Sequence, residues 1–284
     1  MAKQKREVEV VILSDIHLGT YGCHAKELVA YLKSISPKLL ILNGDVIDGW
    51  AFSKRYFPNS HMSVLSEFFK MMKKGTQVIY ITGNHDEFLR KYTDLSMGNL
   101  FLTDKYLLEI EGKKHWIFHG DVFDHTTSGG AKFIAKLGGM GYDWLILVNR
   151  AINWVLEKFG KGKVSLSKKV KNSVKKAVKF IGDFEKKATE IAINNHYDYV
   201  ICGHIHQPAD KIWTTEKGSV HYLNSGDWIE NLSWLEFDKG IWSLKFFNEK
   251  EFEKPVIEEN DISVNMEELI HPKVFASFVA DKFN

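Results

Sequence analysis

Short β-branched runs alternate along the chain with segments whose apolar residues recur at helical spacing. Residues 8–13, 39–42, 78–81 and 116–118 are apolar runs of strand length. Between the first two, Leu28, Leu32 and Ile35 repeat at helical spacing, and Pro37 is read as the stop. Before the third, Met62, Leu65, Phe68, Phe69 and Met72 form a helical stripe closed by Lys73, Lys74 and Gly75. A basic last turn followed by glycine is what a helix carboxyl end favours. Strand, helix and strand in repetition predict an α/β fold, a sheet covered by helices. Strand patterning resumes at residues 199–202 and 220–223, and Trp213, Trp234 and Trp242 fall in strand-like runs that place them in the core.

The character changes near Thr126. Trp144, Leu147, Val148, Ala151, Trp154 and Val155 give one helical face; Val170, Val174, Ala177, Val178, Ile181 and Phe184 give another on a lysine-rich segment. Residues 126–195 are therefore read as a mostly helical insertion, with residues 1–125 and 196–250 forming the core. Residues 251–284 are a C-terminal extension, read as a tail or a small packed helix.

Charge sharpens this division. The 284 residues carry a net charge of only +2, but residues 126–195 hold 14 Lys/Arg against 5 Asp/Glu, leaving the remainder acidic. A basic block on an acidic body points to one face that meets something anionic. The segment has three readings: an ordinary subdomain with a solvated lysine face, a lid, or a nucleic-acid surface. As a lid, its apolar stripe (Phe133, Trp144, Leu147, Trp154, Phe159) would hold acyl chains and its lysines would meet phosphates or an anionic leaflet. A nucleic-acid surface is disfavoured because the aromatics follow a helical core pattern rather than interleaving with the basic residues. The two cysteines, Cys23 and Cys202, have no metal-binding or disulfide spacing, which fits a reducing compartment. The apolar stretch after the basic amino terminus is short and broken by Glu9, so it reads as a first strand rather than a signal peptide. No run reaches the roughly 18–20 apolar residues that span a bilayer.

The chemistry lies where the strands end. Asp15-Ile-His17 follows the first, Asn43-Gly-Asp45-Val-Ile-Asp48 the second, Gly83-Asn84-His85-Asp86 the third and His119-Gly-Asp121 the fourth; Gly203-His204-Ile-His206 follows the strand after the insertion. Each alone is a weak signal, since Asn, Asp and Gly favour turns for reasons unrelated to metals. Five in order, each at a strand's carboxyl end, should converge on one crevice. Oxygen and imidazole donors without a thiolate suit Mn²⁺, Fe, Zn²⁺ or Co²⁺. Seven candidate donors are too many for one ion and suit two that share a carboxylate, an arrangement that clamps a phosphoryl group.

Together, Asp15-x-His17, Gly44-Asp45-x-x-Asp48, Gly83-Asn84-His85-Asp86, His119 and Gly203-His204-x-His206 resemble the five blocks of calcineurin-like metallophosphoesterases. The resemblance implies an α/β/β/α sandwich with an inserted helical cap. It implies one metal on Asp15, His17, Asp45 and His206, and a second on Asp45, Asn84, His119 and His204, with Asp45 bridging. It also implies that His85 donates a proton to the leaving oxygen or stabilises charge there. A neighbouring carboxylate, Asp48 or Asp86, is expected to support the imidazole.

Within that superfamily the chain is similar to the UDP-2,3-diacylglucosamine hydrolase branch. His119-Gly-Asp121-Val-Phe-Asp124, Asn224-Ser-Gly-Asp227-Trp228 and the position of the insertion carry this likeness. The implied reaction is attack of hydroxide on a pyrophosphate, yielding UMP and a diacylated glucosamine 1-phosphate. It implies two divalent ions, Mn²⁺ first and Fe or Zn as alternatives, and a peripheral place on the cytoplasmic membrane's inner face. Asn84, Asp121 and Asp124 are expected to contact substrate, and Trp50 and Arg55, which follow the second block, to line the crevice. The chain departs from the branch at His85, where lipid A pathway enzymes carry arginine. Histidine is the commoner residue in the wider superfamily, so the departure bears on substrate rather than on catalysis. A phosphodiesterase on soluble nucleotides or nucleic acid, and a metal-bound scaffold without turnover, are the alternatives.

Overall fold

The computed structural model describes residues 5–49, 56–124, 167–253 and 255–259, with backbone alone over 167–177. The elements in chain order are β1 (Arg6–Leu13), α1 (Ala25–Ser34), β2 (Ile35–Asn43), α2 (Asn59–Lys73), β3 (Gln77–Ile81), β4 (Ser96–Met97), β5 (Leu100–Thr103), β6 (Lys105–Ile110) and β7 (Lys113–Phe118). They continue with α3 (Ser167–Asn194), β8 (Tyr199–Cys202), β9 (Ala209–Thr215), β10 (Gly218–Asn224), β11 (Ser233–Asp238) and β12 (Ile241–Phe246). The strands form a seven-stranded sheet in the order β12-β11-β1-β2-β3-β5-β4 and a five-stranded sheet in the order β6-β7-β8-β10-β9. β1, β2, β3 and β5 run parallel, as do β7, β8 and β10.

Period-2 patterning explains the stacking. Val10, Ile12, Ile41, Ile79 and Ile81 of the first sheet meet Ile117, Ile201 and Leu223 of the second in one buried layer. The alternate residues of the first sheet, Val11, Leu13, Leu40 and Leu42, pack under α1 and α2. On the far face of the second sheet, Phe184, Ala188, Ala192 and Ile193 of α3 cover Phe118, Val200, Cys202 and Tyr222. The result is the α/β/β/α sandwich.

Several local readings change. α1 stops at Ser34 and Ile35 already opens β2, so Pro37 lies inside a strand, opposite Val8. There β2 pairs with β1 only, because β3 joins from Leu39 onward, so the missing N–H is tolerated. The buried face of α2 is rotated from the apolar stripe: Val64, Phe68 and Met71 face the core, whereas Met62 and Phe69 are exposed. Ser60, His61 and Glu67 share that buried face, which hid it from a reading by hydrophobicity. The second half of α3, assigned above to the insertion, is the outer layer of the core, while its Val178 is exposed. Residues 250–253 and 255–259 contain no helix; Phe252 packs near Tyr31 and Trp234, and Glu259 accepts a hydrogen bond from the Ser60 N–H at the start of α2. Phe133, Trp144, Leu147, Trp154 and Phe159 lie outside the described residues, as do Trp50 and Arg55. Among the described residues no helix is long and apolar enough to cross a membrane.

Candidate metal centre

Because β1, β2, β3, β7 and β8 all point their carboxyl ends the same way, the five loops meet at one edge of the sandwich. Backbone hydrogen bonds lace them together: Asp15 N–H to Gly44 O, His17 N–H to Asp45 O, Gly49 N–H to His85 O and Gly203 N–H to His119 O. Two glycines permit the close approach. A Cβ on Gly83 would sit 2.2 Å from Asp45 Oδ1, and one on Gly203 2.6 Å from Asp15 Oδ2. The room that glycine leaves is therefore filled by the candidate ligand carboxylates themselves. Five of the seven candidate ligands, Asp15, His17, Asp45, His204 and His206, have φ between 51° and 67°. Left-handed backbone at non-glycine residues costs of order 1–3 kcal/mol each and clusters where function demands it.

Among the described residues, ligand-type side chains form three groups, of which two consist of candidate ligands and the third is His17, Asp48 and His85. Ligand atoms of Asp15, His17 and His206 lie within 4.8 Å of one another, and so do those of Asp45, His119 and His204. Asp45 Oδ2 stands between the groups, 3.2 Å from His119 Nε2 and 3.8 Å from His17 Nε2. Its Oδ1 accepts the His85 N–H at 2.8 Å. His206 Nε2 is 3.2 Å from Asp15 Oδ1.

Buried atoms without hydrogen-bond partners test the fit of a cation. The His119 Nδ1–H donates to the Asn43 carbonyl at 2.9 Å, which leaves Nε2 as the ring nitrogen that faces the cluster. That Nε2 is buried and makes no hydrogen bond, although Asp45 Oδ2 is 3.2 Å away. That approach is favourable only with a proton on Nε2 or with a cation in its place. Asn84 Oδ1 is likewise buried without a partner. The donor set fits divalent cations.

Electrostatics agree. Against the burial that penalises charge, His206 and His119 hold the Asp15 carboxyl down to about 2. Burial also opposes ionisation of Asp45, but His119, His85 and His17 keep it well below the usual carboxylate range. His119 moves well above an ordinary imidazole: burial opposes its charge, and Asp45 and Asp15 outweigh it. The cluster is a field that favours positive charge, and cations entering it displace protons.

Around the seven lie supporting residues. Asp48 Oδ2 accepts the His85 Nδ1–H at 3.0 Å and lies 3.4 Å from His17 Nδ1. Asp86 acts on the backbone: its carboxylate accepts the N–H groups of Gly83 and Val46 and the Tyr80 hydroxyl, fixing two loops. Of the two carboxylates expected to support His85, Asp48 is the one at its ring. Asp121 and Asp124, expected to meet substrate, have protein partners at the rim: Asp121 pairs with Arg90, and Asp124 Oδ1 lies 2.9 Å from His204 Nε2. Two supporting residues escape sequence reasoning. Arg90 ties the third block to the fourth through Asp121, and buried His61 accepts the Gly19 N–H at 2.9 Å, steadying the first block. Neither carries a motif; Arg90 looks like a surface cation and His61 like a helix-surface histidine. Asp227 organises the closing motif by accepting the N–H groups of Ile229, Glu230 and Asn231, and the Asn231 side chain donates to His206 O.

Residues 8–208 match the calcineurin-like phosphoesterase family over most of the chain. The chain belongs to that family. A UDP-2,3-diacylglucosamine hydrolase of Aliivibrio fischeri (strain MJ11) is 25% identical over 249 residues, covering 86% of this chain and 99% of the relative. One of Shigella sonnei (strain Ss046) is 27% identical over 172 residues, covering 60% of this chain and 69% of the relative. Among solved structures, the phosphoesterase Yfce from E. coli aligns at a TM-score of 0.41 and 16% identity, covering 88% of this chain and 97% of that one. As a calcineurin-like phosphoesterase the chain is a metal-dependent hydrolase, and the scaffold reading falls away.

Proposed function

We propose that the chain hydrolyses the pyrophosphate of UDP-2,3-diacylglucosamine, or of a similar nucleotide-linked lipid, giving UMP and a lipid sugar 1-phosphate. In this reading Asp15, His17, Asp45 and His206 hold one divalent ion, and Asp45, Asn84, His119 and His204 hold the other. The 3.2 Å approach of Asp45 Oδ2 to the buried His119 Nε2, whose other ring nitrogen is taken by the Asn43 carbonyl, is the observation that carries it. His204 binds through Nδ1, because its Nε2 is engaged by Asp124. The hard and borderline donors suit Mn²⁺, with Fe or Zn²⁺ as alternatives. Bound there, the pair supplies Lewis acidity, lowering the pKa of the attacking water and offsetting charge on the phosphoryl oxygens.

The chain's own residues do the rest. Asp48 fixes the His85 ring through Nδ1 and leaves Nε2 facing the cluster, 4.0 Å from Asp45 Oδ2. His85 there serves the leaving oxygen, giving it a proton or steadying its charge. Asp86 keeps the Gly83 and Val46 backbones in register, and Asp124 orients His204. The named relatives support the lipid substrate. With the insertion read at residues 126–195 supplying the lid over acyl chains, the protein would work at the inner face of the cytoplasmic membrane.

The test is UMP release from UDP-2,3-diacylglucosamine in mild detergent by Mn²⁺-loaded protein. Release that disappears in Asp45→Ala supports metal site and substrate together. An aryl phosphodiester cleaved without any UMP release retains the metal site and moves the substrate to a soluble phosphodiester.

A further inference from the structure

At the opposite ends of the same strands the molecule gathers like charge around a cavity. A pocket of about 250 Å³ is lined by Lys5, Lys33, Lys70 and Lys74 with one carboxylate, Glu67. Lys5 precedes β1, Lys33 lies in the last turn of α1, Lys70 lies in the last turn of α2 and Lys74 caps it. Since β1 spans 8 residues, the pocket is roughly 25 Å from the metal centre, at the amino rather than the carboxyl ends of the strands.

The local charge is unbalanced. Glu67 is buried and already paired with Lys70 at 2.8 Å. Lys5 donates to the Leu32 carbonyl at 3.3 Å, and its pKa is lowered by burial and by the charges of Lys74, Lys70 and Lys33, with Glu67 pulling the other way. The carboxyl ends of α1 and α2 contribute about half a negative charge each, which leaves about two positive charges unmatched. The pocket is smaller than the roughly 300–1,000 Å³ of sites that engulf drug-sized ligands, so it suits a small anion or the charged end of a larger one. Ammonium groups on flexible stems bind phosphate as adaptable point charges, and Ser36 is among the residues that line the same pocket.

We propose that this pocket binds a phosphate-bearing anion, inorganic phosphate or diphosphate or the phosphate end of a lipid, separately from the metal centre. Such a ligand joins the start of β1 and the carboxyl ends of both helices of one outer layer.

Lysine acetylation read by mass spectrometry tests this, residue by residue, on metal-loaded wild type and on the double variant Lys33→Gln/Lys74→Gln. The metal centre is the same in both proteins, so their difference isolates the pocket. Expected is saturable, several-fold protection of Lys5 and Lys70 by inorganic pyrophosphate in wild type only, with a matching rise in Tm. Phosphodiesterase activity should be equal in the two. Protection by phosphatidic acid in phosphatidylcholine vesicles, and not by pyrophosphate, assigns the phosphate to a lipid headgroup. Equal protection of lysines everywhere, protection matched by sodium chloride at the same ionic strength, or undiminished protection of Lys5 and Lys70 in the double variant overturns the proposal.

Discussion

The two halves of the proposed metal site are built differently. In the half formed by Asp45, His119 and His204, both imidazoles have a second partner at 2.9 Å, the Asn43 carbonyl and Asp124, and the His119 side chain is wholly buried. In the half formed by Asp15, His17 and His206, the His206 side chain is 32% exposed and its Nδ1 is 4.0 Å from Asp227, too far for a hydrogen bond. His17 shares Asp48 with His85. Outer partners fix ring orientation and tautomer, so the first of these halves is preorganised and the second is the more open to solvent at His206. With both proposed ions bound, the first half is expected to hold its ion more firmly and the second to exchange it more readily.

Four experiments break or sharpen this contrast. Asp45→Ala acts on both halves at once: metal analysis should fall from two ions per chain to none, with nearly all activity lost. Retention of both ions would remove Asp45 from its bridging place. His85→Ala acts on neither ion, and should keep both while slowing turnover by about 10²–10⁴-fold; wild-type rates would leave His85 without a chemical role. Asp124→Asn acts on the preorganised half alone and should weaken one ion by about 10–100-fold, read by competition with a chelator. In wild type that chelator should extract the ions in two phases, and a single phase would erase the distinction between the halves.

The smallest effect concerns the support of the open half. Burial holds the His61 imidazole down to about 4 from its ordinary 6.5. As pH falls below 6.5 the unfolded chain takes up a proton that the folded chain refuses until about 4, so stability declines across that window. The loss should be about 1 kcal/mol between about pH 7 and about pH 5.5. Denaturant titration should show a flatter pH profile in His61→Gln, and an unchanged slope would separate His61 from it.

The clustering was legible in the sequence because such chemistry demands particular residue types at strand ends: all five blocks follow a strand, and six of the seven proposed ligands come together in two groups. Less legible was whatever depends on pairing between loops far apart in the chain. The Asn43 carbonyl that orients His119, the Asp124 carboxylate at His204 and the Arg90–Asp121 pair arise from juxtapositions 31 to 80 residues apart that no local pattern encodes. The rotation of α2 was hidden by polar residues on its buried side. The role of α3 was hidden by its lysines, which obscured that Phe184 fills the space a Cβ on Gly120 would need, 2.6 Å from the ring.

The apolar layer between the sheets sets the gauge of the centre. Asp15, His17 and Asp45 hang from one sheet, His119, His204 and His206 from the other, and each proposed ion is held from both sides. The filling of Ile12, Ile41, Ile117 and Ile201 therefore works like a shim: its thickness determines how wide the jaws stand at their open end. Removing a single methylene from that layer, with every candidate ligand untouched, is expected to alter the span between the two groups proposed to hold the cations.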